Sequence, residues 1–289
     1  QADTITGSAN DDTAIVIGMG DLGTLGLYDA EGGLSTELGW GIGAMGVGAD
    51  YANTMTNIGR GYDVSADPHV AYTSPAGLLP FGIQASIGYA PNTPDGQSNS
   101  YKGGGAVGDA AAAGTNATQY KITASPIDGL KIGADYYETG GNKLSTVSQE
   151  KTGGNVYAQY AFGNFKIGYT KGELEPAKTT DKYGTNTADT ATALGGDQYE
   201  SDGLGIEFAV NDALSISFTS EDFTRTHKTM AATASTNTRN SVTSEQRTIM
   251  AAYNIGGATL GVSLIDTSNS DYTADREESK TIFSLALAF

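Results

Sequence analysis

Several groups of residues in this sequence have types and spacings that could do chemistry. Gly18, Gly20 and Gly23 in AIVIGMGDLG keep the G-x-G-x-x-G spacing that cradles a dinucleotide pyrophosphate when a helix succeeds an apolar strand. Glu37 stands near the distance at which such a site places its ribose-binding acid. Asp271, Asp275, Glu277 and Glu278 gather the hard oxygen ligands that suit Ca²⁺. His69 and His227 are the whole supply of imidazole, and the chain has no Cys. Thiolate metal sites, disulfides and most Ser–His or Cys–His catalysis therefore lack raw material. No nucleophile motif accompanies the two histidines, so a barrel enzyme such as a lipase or protease is disfavoured.

The segment after Gly23 decides the first of these groups. It reads TLGLYDA, where Leu25 and Leu27 alternate with Thr24, Gly26 and Tyr28, and no helical stripe is present. GMGDLG reads as a hairpin turn, its glycines supplying the positive φ angles that tight turns need. The acidic cluster lies between strand-like stretches and reads as a charged loop rather than a Ca²⁺ site. His227 in FTRTHKTM reads as an exposed loop residue. Trp40, set among glycines, fits either the inside of a loop or a wall against which the loop packs.

The elements that would position such residues are strands. From about residue 117 onward, apolar residues alternate with small or polar ones for roughly ten positions before a turn. Tyr120, Ile122 and Ala124 oppose Gln119, Lys121 and Thr123; Leu130, Ile132, Ala134 and Tyr136 oppose Lys131, Gly133, Asp135 and Tyr137. NVYAQYAF, NFKIGYT, GLGIEFAV, ALSISFTSE, ATLGVSL and KTIFSLALAF repeat the pattern. The polar face is mostly Gly, Ser, Thr, Ala and Gln, which suits a lumen better than the water-facing side of a sandwich. SPIDG, FGN, NDA and NIGG are tight turns, whereas residues 91–116, 139–153, 172–201, 224–244 and 267–278 form long polar connections. Alternation of short turns with long loops is the signature of a transmembrane barrel.

Composition agrees. The 289 residues include 40 Gly and 16 Tyr but one Trp, and only 17% are charged, with a net charge of −17. That balance excludes a nucleic-acid partner, which needs clustered Lys and Arg. No apolar run approaches the roughly 18 residues of a spanning helix, and no signal-peptide pattern opens the chain. Neither fact bears on a barrel, which crosses with strands. Tyr120, Tyr136, Tyr160, Tyr169 and Tyr253 are expected near the membrane interfaces. No cofactor and no metal is implied.

On these residues the chain resembles the trimeric general porins of Gram-negative outer membranes. TAIVIGMGDLGTLGLYD is similar to the porin hairpin whose turn carries a Gly and an acid before GTL, with a long excursion after it. HVAYTSPAGLLPFGIQASIGYAPN resembles the next strand pair, and SKTIFSLALAF ends on the terminal aromatic, Phe289, which serves barrel assembly. The resemblance implies an all-β fold, a transmembrane antiparallel barrel of the sixteen-stranded porin type forming one domain over residues 1–289. Counting from the GTL hairpin gives about thirteen strands here, against the even numbers of bacterial barrels. Roughly three N-terminal strands are therefore expected to be absent from the sequence or hidden within residues 1–60.

The resemblance further implies a passive bacterial outer-membrane channel, not an enzyme, passing small hydrophilic solutes and ions. Its partners would be the lipid bilayer, lipopolysaccharide and two further copies in a homotrimer. By position, residues 29–67 are the inward-folded loop that narrows the pore, carrying Glu31, Glu37, Asp50 and Asp63. The opposing basic wall is Lys121, Lys131, Lys166 and Lys280, with Arg60 on the loop itself. Opposed charges across a poorly screened gap order water and favour polar solutes over apolar ones. With the net charge as it is, mild cation preference is expected unless the lysines dominate the narrowest section. The alternative is a secreted or surface-layer β protein that binds or scaffolds without a pore; it would require packed sheets and more heavily charged polar faces.

Overall fold

In the computed structural model, residues 13–29, 31–43, 61–93, 115–140, 147–149, 152–175, 178–179, 197–229 and 238–287 are described. Their strands are β1 Thr13–Gly18, β2 Thr24–Asp29, β3 His69–Thr73, β4 Gln84–Thr93, β5 Thr115–Ala124, β6 Leu130–Gly140, β7 Val147–Gln149 and β8 Thr152–Phe162. After these come β9 Phe165–Glu175, β10 Lys178–Thr179, β11 Asp197–Ala209, β12 Leu214–Thr229, β13 Thr238–Ile255, β14 Ala258–Ser268 and β15 Glu278–Leu287. Thirteen of them form one antiparallel sheet in chain order, while β7 and β10 make a separate two-stranded ribbon. Among the described residues β1 and β15 are paired on one side only, so the wall is open between them.

The wall is inside out. Ile249, Leu264 and Phe283 are 55%, 48% and 80% exposed, while Gln246, Thr248 and Ser263, on the other face of the same strands, are 0%, 0% and 1% exposed. A protein folding in water buries the apolar face; this arrangement is favourable only where hydrocarbon covers the outside. Every strand of the wall between β1 and β15 satisfies its backbone groups through neighbours on both sides, as a span through lipid demands. Around the β8–β9 turn, Tyr160, Phe162, Phe165 and Phe208 stack in a row at centroid distances of 5.4, 5.7 and 4.6 Å, an outward aromatic fringe at the short-turn end. The exposed Tyr120, Tyr136, Tyr169 and Tyr253 point outward with them.

The short turns are built by local chemistry. GMGDLG closes the β1–β2 hairpin through a single 3₁₀ turn, Gly20–Leu22, with the Met19 amide donating to the Gly23 carbonyl at 2.8 Å. Gly23 has φ +88°, and a Cβ there would stand 2.3 Å from the Thr73 carbonyl oxygen. In NDA the Asn211 side chain accepts from the amides of Ala213 and Leu214, both at 2.9 Å.

The long connections are shorter than the sequence predicts. β12 runs to Thr229 and β13 begins at Thr238, so His227 lies on a strand, opposite Asn240, and not in a loop. The strand is held there by hydroxyl pairs, Thr224 with Thr243 and Thr226 with Ser241, each at 2.8 Å. Above the apolar belt a strand needs no apolar face, and the period-two signal disappears. The ends of β9 and β11 at Glu175 and Asp197 shorten the 172–201 connection for the same reason.

Candidate functional site: the inner face and the segments against it

The polar residues of the alternating pattern share one face of the sheet, and residues 31–43 and 61–67 lie against it. Three adjacent strands supply a clasp. Asp135 of β6 is 7% exposed, and its Oδ1 accepts from the Thr36 amide at 2.7 Å, the Thr36 hydroxyl at 2.6 Å and the Asn155 side-chain amide at 3.2 Å. Its Oδ2 accepts from Gln119 Nε2 at 3.2 Å. Gln119, on β5, in turn donates to the Tyr62 carbonyl at 3.2 Å and accepts from the Val64 amide at 2.7 Å. The clasp therefore grips both inner stretches at once. Hydrogen bonds made away from water are electrostatically stronger than those exposed to it.

Further along, apolar side chains take over. Trp40 and Ile42, each 1% exposed, lie over Gly168 of β9 and Gly203 and Gly205 of β11. A Cβ on Gly168 would meet Ile42 at 2.6 Å, and one on Gly205 would meet it at 2.7 Å, so the notch exists only because these positions have no side chain. Beside it Lys166 donates to the Gly41 carbonyl at 3.0 Å and pairs with Glu207 at 3.1 Å, while Glu207 accepts from the Gly43 amide at 3.1 Å. The two stretches also come together at their outer ends. There the buried His69 ring stacks on Tyr28, its nitrogens 2.9 Å from the Asp67 carbonyl and 3.3 Å from that of Gly32.

The residues singled out from the sequence fall into distinct places. Glu37, Asp63 and Lys121 line one pocket of about 290 Å³ between the first stretch and the wall. Lys166 is engaged by the backbone of the same stretch. Glu31 is exposed. Lys131 on β6 and Lys280 on β15 are exposed on the inner face and belong to neither the clasp nor the pocket. Asp50, Arg60 and Phe289 lie outside the described residues. Two of the four acids of the 271–278 turn are held by Arg276, which pairs with Asp271 at 2.9 Å and with Glu278. Among the described residues no group of acids or imidazoles is arranged to hold a metal.

Sequence reasoning passed over Asp135, Gln119, Asn155, Glu207 and the glycine notch. A signal for the notch is present: a lone Trp flanked by glycine, and glycines at inner-face positions of two neighbouring strands. The clasp residues are ordinary polar-face residues in the sequence, and only tertiary contact distinguishes them.

No protein-family model and no curated protein matches the sequence. Solved structures do. An anion-selective porin from Comamonas acidovorans superposes with a TM-score of 0.60 at 14% identity, over 96% of this chain and 77% of that one. OmpT, an outer membrane protein of Vibrio cholerae, gives 0.57 at 13% identity over 95% and 76%. The outer membrane channel DcaP of Acinetobacter baumannii gives 0.50 at 11% identity over 91% and 72%. Similarity of shape at such identities speaks for architecture and not for solutes. The chain has the fold of the outer-membrane porins.

Proposed function

We propose that this protein is a passive channel of the bacterial outer membrane, through which small hydrophilic solutes and ions diffuse. The observation that carries the reading is the combination of an apolar outside with a polar inside against which residues 31–43 and 61–67 are fastened. A segment held within the lumen narrows the path, and its carboxylates face ammonium groups of the wall. Glu37 and Asp63 against Lys121 form the central opposition, with Lys166, Lys131 and Lys280 lining other parts of the wall; the resemblance to porins adds Glu31, Asp50 and Arg60 to the charges of the loop spanning residues 29–67. Such opposed charges keep water ordered across the gap and penalise apolar solutes, because a solute must exchange its hydration for these fixed groups. No residue is asked to make or break a bond. Lipid and lipopolysaccharide cover the apolar belt, and the working unit is a homotrimer with Phe289 as the assembly signal.

Liposomes carrying the protein test the reading. They are expected to swell in isotonic solutions of small sugars, with rates falling as the sugar enlarges; no swelling with any sugar would favour a pore-free surface protein.

A further inference from the structure

The pocket that gathers Glu37, Asp63 and Lys121 carries charges of both signs, and most of the surrounding capacity for hydrogen bonding is already used. Ser35, Thr123 and Tyr157 contribute hydroxyls to its lining. Asp135 stands directly across from Lys121 in the β5–β6 register. Its oxygens are committed to Thr36, Asn155 and Gln119. Asp63 accepts from the amides of Leu34 at 3.1 Å, Ser35 at 2.9 Å and Ser65 at 3.0 Å. An ionised carboxylate has about four acceptor positions, so Asp63 keeps room for one more donor. The Lys121 ammonium forms no ion pair with a described residue and is half-exposed toward the pocket.

A simple anion entering here would meet Lys121 but also the fields of Glu37 and Asp63. A simple cation would meet the carboxylates but also the ammonium. A solute bearing both charges satisfies each side, its carboxylate on Lys121 and its ammonium on Asp63, with the Ser35, Thr123 and Tyr157 hydroxyls able to take up remaining polar groups. The volume, about 290 Å³, sits at the small end of ligand pockets, which run from about 300 to 1,000 Å³ for drug-sized molecules. We propose that this pocket is a waypoint for small zwitterions of the free α-amino-acid class, an inference that rests on the channel reading and names the solute for its narrowest part. A waypoint of this kind binds weakly, since a solute that enters must also leave.

The test uses L-glutamine as probe, with 4-aminobutanamide, which lacks the carboxylate, and glutaramate, which lacks the ammonium. Trp40 is the only tryptophan of the chain and adjoins Gly39 in the first inner stretch. Its fluorescence therefore reports binding to the detergent-solubilised full chain without requiring conduction. Saturable change with glutamine, absent with both analogues, is expected. In Lys121→Gln it should weaken at least about tenfold, as loss of a charge-assisted hydrogen bond implies, and Lys121→Arg should restore it. Equal responses to all three compounds, no saturation, or an unaltered response in Lys121→Gln would overturn the proposal. Parallel bilayer recordings separate the two readings. Open channels without saturable glutamine binding would sink the waypoint alone, and saturable binding in a protein that never conducts would sink the channel and with it the waypoint, leaving only a zwitterion-binding pocket.

Discussion

Asp135 is the residue on which the seating of the inner stretches turns. Its carboxylate collects donors from Thr36, Asn155 and Gln119, and Gln119 carries the grip on to Tyr62 and Val64. Asp135→Ala leaves those donors buried without an acceptor, a cost of about 1–3 kcal/mol for each group left unsatisfied. The variant is expected to melt at lower temperature by circular dichroism and to give larger, noisier single-channel currents as the stretches leave the wall. Asp135→Asn, which keeps part of the network, should fall between. Currents identical to those of the parent in Asp135→Ala would show that the clasp does not hold the stretches in place. Little of this was legible in the sequence. Asp135 lies in GADYY as one polar-face residue among many, whereas Lys121 was marked as a lysine on the polar face and Glu37 as an acid of the loop that the porin resemblance assigns to residues 29–67.

At the scale of the strand, adjacent positions belong to different solvents. Ile132 faces outward and Lys131 faces the lumen, one residue away on β6. Arginine on the lipid face costs up to about 2–4 kcal/mol, depending on depth, so Ile132→Arg is expected to lower the correctly assembled yield on refolding into detergent or lipid. Lys131→Glu should fold normally and move the reversal potential toward cations. If the two variants assembled equally well, the assignment of faces would be wrong. The glycine notch makes a second prediction for packing between elements. Gly168→Val places a branched side chain where Ile42 and the Trp40 carbonyl already stand, 2.6 and 2.8 Å from the new Cβ. It should unseat the first inner stretch and expose Trp40, seen as a red shift of its emission, while the strands of the wall persist by circular dichroism. Strands through the belt were legible because lipid on one side and water on the other enforce a period of two. Their extensions above it, such as β12 to Thr229, were not, since polar residues on both faces, Thr224 and Thr226 against Arg225 and His227, leave no alternation to read.

At the scale of the molecule, the thirteen-stranded wall has unpaired edges at β1 and β15 among the described residues, and every strand in it runs antiparallel to its neighbours. With an odd count these two edge strands run in the same direction. The turn-and-loop alternation in the sequence carried the architecture, because short turns and long connections differ in composition as well as length. It could not carry the closure, which depends on pairing between residues far apart along the chain. The net charge of −17 sets the field in which the lumen lysines act and predicts cation preference that weakens as salt rises, since screening shortens the reach of exposed charge. The most direct measurement is single-channel recording of the purified full chain in a planar bilayer under a salt gradient. Discrete, large conductance steps grouped in threes, with a reversal potential of modest cation sign, are the predicted result; a bilayer that stays silent although the protein is inserted would contradict the channel account.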